Sequence, residues 1–269
     1  MSDYQPGRRV RRRGLSILWS FYFLFAFITC SSLDGDARSA TIIVLGALPF
    51  AYGVIRKSIV ARFNAVNRPG LEQLRDDPAD AERTFAEIER RFRWPRYLRR
   101  ISAYNRAIAL LKQGQLDEAV GVLVEVEQHG GVIGLDAAIA ANLAYLHALC
   151  GRIELAEAWQ AEVSRRAGPQ PGLPHVLTDI AIELRKGHAA ELRNRLDDQW
   201  RAIEAALTGA RLRPVRVLRA FAIAQSSDIR DAGAVEPALA ALRPARYAEF
   251  AYLGKQWPEL DQFLRANLT

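Results

Sequence analysis

Cysteine is nearly absent from this chain. Cys30 and Cys150 are the only two, one inside an apolar run and one at an expected helix end, and neither stands in a CxxC or metal-type spacing. No disulfide framework and no zinc site is therefore expected. Histidine is scarce too: His129, His147, His175 and His188 are scattered, without an HExxH pattern, and each reads as a loop or groove residue rather than a metal ligand. No cofactor is expected. The nearest approach to a phosphate loop, Gly130-Gly131 with Gly134, follows no strand and precedes no Lys-Ser/Thr pair, so it reads as a helix end and a turn. Asp197 and Asp198 are adjacent on an expected helix, point about 100° apart and do not form a dyad. No nucleophile stands at a recognisable spacing from a base, so catalytic residues are not expected. An enzyme whose site converges from separate helices is the alternative.

Charge of one sign is also less concentrated overall than the pI of 9.7 suggests. Residues 1–38 hold roughly +3 of the net +7 and Arg56 adds one, which leaves about +3 for the rest, an ordinary balance for a folded domain. A chain-wide nucleic-acid footprint is not expected, and a nucleic-acid partner is the least favoured.

Long uncharged runs are present. Residues 1–14 include GRRVRRR and precede an uncharged run over 15–33; DGDAR at 34–38 separates it from a second run over 39–55. About 19 residues at ~1.5 Å each reach roughly the hydrocarbon thickness of a bilayer. The pattern predicts a two-helix transmembrane hairpin over 15–56, with an integral membrane localisation and, from the flanking arginines, both termini cytoplasmic. The rival is a cleaved signal, with Phe27 to Cys30 resembling a lipoprotein box. Ala47 and Ala51 form a small-xxx-small pair suited to packing within the hairpin, with oligomerisation through it as a second use.

Residues 57–76 form an expected juxtamembrane helix and linker, broken at Asn67-Arg68-Pro69-Gly70. Asp77 before Pro78 is an N-cap with a first-turn proline, and it opens an amphipathic helix to about Arg93 with Ala81, Phe85, Ile88 and Phe92 on one stripe. Residues 89–100, ERRFRWPRYLRR, then interleave arginines with aromatics. Arg90, Arg91, Arg93, Trp94, Arg96 and Tyr97 are candidates for contact with a lipid bilayer surface, where each basic residue contributes on the order of 1 kcal/mol. The alternatives are a core of aromatics with a solvated arginine rim, or stacking on single-stranded nucleic acid.

From residue 77 to 269 the chain reads as short helices with frequent turns. Ile101, Tyr104, Ala107, Ile108 and Leu111 trace one apolar stripe, and Leu116, Ala119, Val120, Leu123 and Val126 another after Gly114. Asn105, Ala107, Gly114 and Ala119 recur about 37 positions on as Asn142, Ala144, Gly151 and Ala156. Gly187 follows Gly151 by a similar interval in a degenerate third unit. Arg213-Pro214, Asp228, Glu236-Pro237, Arg243-Pro244 and Trp257-Pro258 mark further helix starts.

These residues resemble a tetratricopeptide repeat: a small residue in the first helix (Ala107, Ala144), a turn glycine (Gly114, Gly151), an alanine in the second helix (Ala119, Ala156), and Gly168-Pro169 closing the second unit. The clearest units cover 101–131 and 137–168, at a period above the family's ~34 residues. The resemblance implies an α-α superhelix whose first helices line a concave groove, where asparagine commonly hydrogen-bonds a bound peptide. Asparagine is a poor helix-interior residue, so Asn105 and Asn142 are groove candidates, with bridging of adjacent helices as the alternative. Tyr104, Ile108 and Tyr145 occupy the positions beside them, and the family's basic clamp residues are unmatched, which favours an apolar or aromatic-lined groove. The expected fold class is all-α, a transmembrane hairpin followed by a solenoid. The expected function is a membrane-anchored scaffold or assembly factor for a protein or peptide partner.

Overall fold

The computed structural model describes residues 35–132, 134–167, 173–226 and 235–268, and the side chains within these from residue 51 onward, save Ala167 and Leu173. Every regular element among them is helical. Two compact units divide between Pro69 and Gly70.

The N-terminal unit contains most of helix α1, Gly35–Asp76. Three expectations are corrected here. The 34–38 segment, expected as a hairpin loop, is helical from Gly35 onward, and the expected break at Asn67 to Gly70 lies inside the same helix. Proline lacks one N–H and removes one rung of the ladder, and here the helix continues through Pro69. The integral membrane localisation is also overturned: among the described residues no helix is long and apolar enough to cross a membrane. The helix α1 is 42 residues long, with Asp36 and Arg38 near its start and Arg56, Lys57, Arg62, Arg68, Glu72, Arg75 and Asp76 along its second half. The first expected span, 15–33, and the basic segment 1–14 lie outside the described residues, as do Cys30, Gly168-Pro169 and Asp228.

The C-terminal unit is built from antiparallel helix pairs. Helix α2, Pro78–Arg91, starts as the sequence predicts: Asp77 caps it, its carboxylate accepting from the Asp80 N–H at 2.9 Å, with Pro78 in the first turn. Ala81, Phe85 and Ile88 are buried on its inner face. It packs on α3, Arg96–Gln113, and α3 on α4, Leu116–Gln128. The second pair is α5, Asp136–Leu149, with α6, Ile153–Ala167. The third is α7, Leu173–Arg185, with α8, Ala189–Ala206. Helix α9, Leu212–Ser226, packs on α8 and α7, and a short α10, Val235–Ala240, packs on α9. The final pair is α11, Tyr247–Gly254, and α12, Pro258–Asn267, which opens at Trp257-Pro258 as expected. Ser226 lies at the end of α9, where its hydroxyl donates to the Ile223 carbonyl.

The glycine turns close alike. Gly114, Gly151 and Gly187 all have positive φ, at 76°, 73° and 81°. In each, the glycine N–H bonds the carbonyl three residues back and the next N–H bonds five back, as in Gly151 to Ala148 at 3.0 Å and Arg152 to His147 at 2.9 Å. A left-handed residue is what lets both bonds form, and glycine adopts it without a Cβ penalty. The small residues Ala107, Ala119, Ala144 and Ala156 are fully buried where neighbouring helices approach. The array does not stay open. Helix α11 packs against α3, and Gln256 donates to the Asp117 carboxylate at 2.9 Å across 139 residues of sequence.

Candidate functional site

Two sets of residues were expected to form a site, and the structure treats them differently. The groove set is buried in part: Asn105, Asn142 and Tyr145 are buried, Tyr104 and Ile108 half-buried. Asn142, buried on α5, donates through Nδ2 to the Tyr104 hydroxyl at 3.0 Å and to the Ala138 carbonyl at 2.8 Å. It therefore bridges α3 and α5. Burial raises the Tyr104 pKa, with the Asn142 hydrogen bond opposing the shift. Tyr145 is buried and its phenol faces Tyr252 of α11; burial first, then Tyr252, pushes its pKa well above the ordinary value. Asn105 is buried and Ile108 partly so. The chain's own α11 packs against α3 and brings Tyr252 to Tyr145. Replacing Asn142 by Ala strands the Tyr104 hydroxyl in a part-buried position. It is expected to lower unfolding stability by about 1 kcal/mol, read from the urea midpoint.

The arginine and aromatic set is displayed. The turn between α2 and α3 runs from Phe92 to Pro95. Phe92 goes into the core, and Tyr97 is partly buried, but the Trp94 side chain is 70% exposed. Arg90, Arg91, Arg93, Arg96 and Arg99 are all exposed around it. Residues 89–100 hold six arginines against the single Glu89, so these twelve positions carry +5 of the chain's net +7. Arg90, Arg91, Arg93 and Arg96 make no ion pair with the described residues, whereas Arg99 lies 3.8 Å from Glu125.

The turn is held rigidly from behind. The Arg106 guanidinium grips Glu89 with two N–H bonds, at 2.7 and 3.4 Å, and tightens α3 onto α2 just inside the turn. Burial raises the Glu89 pKa, while Arg106 works against that shift. Ser102 donates to the Phe85 carbonyl at 2.9 Å, Arg100 to the Gly131 carbonyl at 2.9 Å, and Gln113 to the Pro78 carbonyl at 3.2 Å. The exposed tip therefore sits on a clamped hairpin.

A third cluster escaped the sequence reading. Arg166 on α6 is only 8% exposed, and its guanidinium bonds Glu127 of α4 at 2.8 and 3.2 Å, the Asp136 carbonyl at 3.0 Å and Glu162 on its own helix. Arg165 adds a bond to Glu162 at 2.8 Å. Burial opposes the Glu162 charge, but Arg166 and Arg165 outweigh it and hold the carboxyl below its ordinary value. The cluster ties the first two helix pairs together. A sequence signal existed: Trp159, Glu162, Val163 and Arg166 share one helical stripe, which places an i,i+4 ion pair on a buried face. His147, expected in a loop or groove, lies inside α5 with its Nδ1 buried and unpartnered. Among the described residues, no group of three or more His, Cys, Asp or Glu side chains is placed to hold a metal ion.

The fold and surface define an all-α protein of stacked helix pairs with an exposed basic aromatic turn. The sequence matches no protein-family model, and no curated protein or solved structure is significantly similar to it.

Proposed function

We propose that this chain is a protein-interaction module, a scaffold or assembly factor that holds a protein partner on a rigid array of helix pairs. The resemblance to tetratricopeptide repeats supports this reading, because stacked helix pairs present extended surfaces rather than closed pockets. The observation that carries it is the exposed Trp94 among unpaired arginines on a clamped turn. Tryptophan and arginine are the residue types that dominate binding energy at protein interfaces, and exposing a tryptophan to water has no folding benefit. The array is the rigid backing, and the turn is the contact.

The test is cross-linking and affinity capture with the full-length chain at physiological salt. A protein recovered reproducibly in stoichiometric amount is expected, and recovery of no protein by either cross-linking or affinity capture overturns the reading.

A further inference from the structure

The turn specifies the chemistry of what it binds. We infer that the surface formed by Arg90, Arg91, Arg93, Trp94 and Arg96 docks an acidic segment of a partner protein, one that carries carboxylates beside an apolar side chain. This rests on the protein-interaction reading above and narrows it to one surface and one ligand class.

Charge complementarity is the first argument. A local +5 in twelve residues attracts an anionic partner, and the four arginines without an ion pair leave their donors available to it. The choice of cation is the second. No lysine occurs between Glu89 and Arg100. A guanidinium presents a planar fork that matches a carboxylate with two parallel bonds, whereas an ammonium acts as a point charge. The fold uses that chemistry on itself: Arg106 grips Glu89 with two N–H bonds, and Arg213 of α9 grips Glu249 of α11 at 2.5 and 2.7 Å. The third argument is the number of exposed aromatics. Single-stranded nucleic acid is held by successive stacking platforms and a membrane surface by a broad apolar face. Here Phe92 is in the core, Tyr97 is partly buried, and Trp94 alone stands out. One aromatic anchor inside a ring of guanidinium groups fits one apolar side chain flanked by carboxylates.

The experiment uses the purified full-length chain and a fluorescein-labelled peptide of Glu and Asp with a leucine at every fourth position, read by anisotropy. Binding that weakens as salt rises is expected. Trp94→Ala should weaken it about tenfold or more, the size of an interface hot spot. The pair Arg93→Glu with Arg96→Glu should abolish it, and Arg93→Lys with Arg96→Lys, which keeps the charge and removes the fork, should still weaken it. All these positions are exposed, and unchanged circular dichroism and urea midpoints confirm that the variants fold. Wild-type affinity in Trp94→Ala and in the charge reversal overturns the inference. So does stronger binding to phosphatidylserine vesicles or to a thymidine oligonucleotide at matched charge concentration. A protein captured equally by the wild-type chain and by both variants overturns this surface while leaving the protein-interaction reading standing. Failure of capture in all of them sinks that reading first.

Discussion

Replacing Arg166 by methionine is expected to destabilise the protein by about 3–5 kcal/mol, the cost of leaving a buried charge without its partner. Glu127 and Glu162 are 6% and 5% exposed and both depend on this one guanidinium, which is 8% exposed. Without it, two carboxylates face each other in the seam between α4 and α6, with Arg165 alone to answer them. A urea titration monitored by circular dichroism reads the loss directly. The companion variant separates ionic specificity from net stabilisation. Changing Glu127, Glu162 and Arg166 together to apolar residues of similar volume removes both the attraction and the desolvation cost, and is expected to come out near neutral. A loss below about 1 kcal/mol in the Arg166→Met variant would show that water reaches the cluster and screens it.

The second large effect is one of pH. His147 is 6% exposed on α5, and burial first, then the nearby Arg152 charge, lowers its pKa from 6.5 to about 4, with the Asp117 carboxylate at the start of α4 pulling the other way. Between these two values the unfolded chain binds a proton at this histidine and the folded chain does not, so stability falls as the pH falls. The full effect is about 3 kcal/mol, present above pH 6.5 and lost by about pH 4. Below that, Glu162, whose pKa is held under its ordinary value of 4.5, adds a loss of the same sign. Equilibrium unfolding between pH 7 and pH 4 measures the slope, and His147→Gln should flatten it in that window. An identical slope in the variant would place the titration elsewhere.

Much of the helical unit was legible in the sequence because its determinants are local. Asp77 caps the helix that opens at Pro78, and Pro258 opens the last helix as its first-turn proline. Gly114, Gly151 and Gly187 end them because a left-handed turn requires a residue without a Cβ. Ala107, Ala119, Ala144 and Ala156 were readable as close-packing positions from their recurrence, and each is fully buried. The same local logic failed at α1. Two apolar runs and a polar break suggested a hairpin, and Pro69 suggested a stop. Yet one helix runs from Gly35 through Asp76, and among the described residues none qualifies as a membrane span.

The candidate sites divided on contacts that local pattern does not contain. Asn105, Asn142 and Tyr145 carried the spacing of a groove face, but α11, more than a hundred residues later, packs against α3 and places Tyr252 opposite Tyr145. Phe92 and Trp94 sit two positions apart in the same basic run, and only the packing of α2 on α3 takes the first into the core and leaves the second in water.

By itself the sequence determined the all-α character of this protein, the helix starts at Asp77-Pro78 and Trp257-Pro258, the stops at Gly114, Gly151 and Gly187, and the concentration of positive charge at one turn. These follow from capping, proline and glycine chemistry and from charges fixed along the chain, all within a few residues. The tertiary structure decided which distant groups meet and which stay in water: Tyr252 of α11 beside Tyr145, the Arg166 cluster between α4 and α6, and the exposure of Trp94. Coverage depends on pairs as distant as Asp117 and Gln256, and which such pairs meet is settled by burying the most apolar area without stranding a charge.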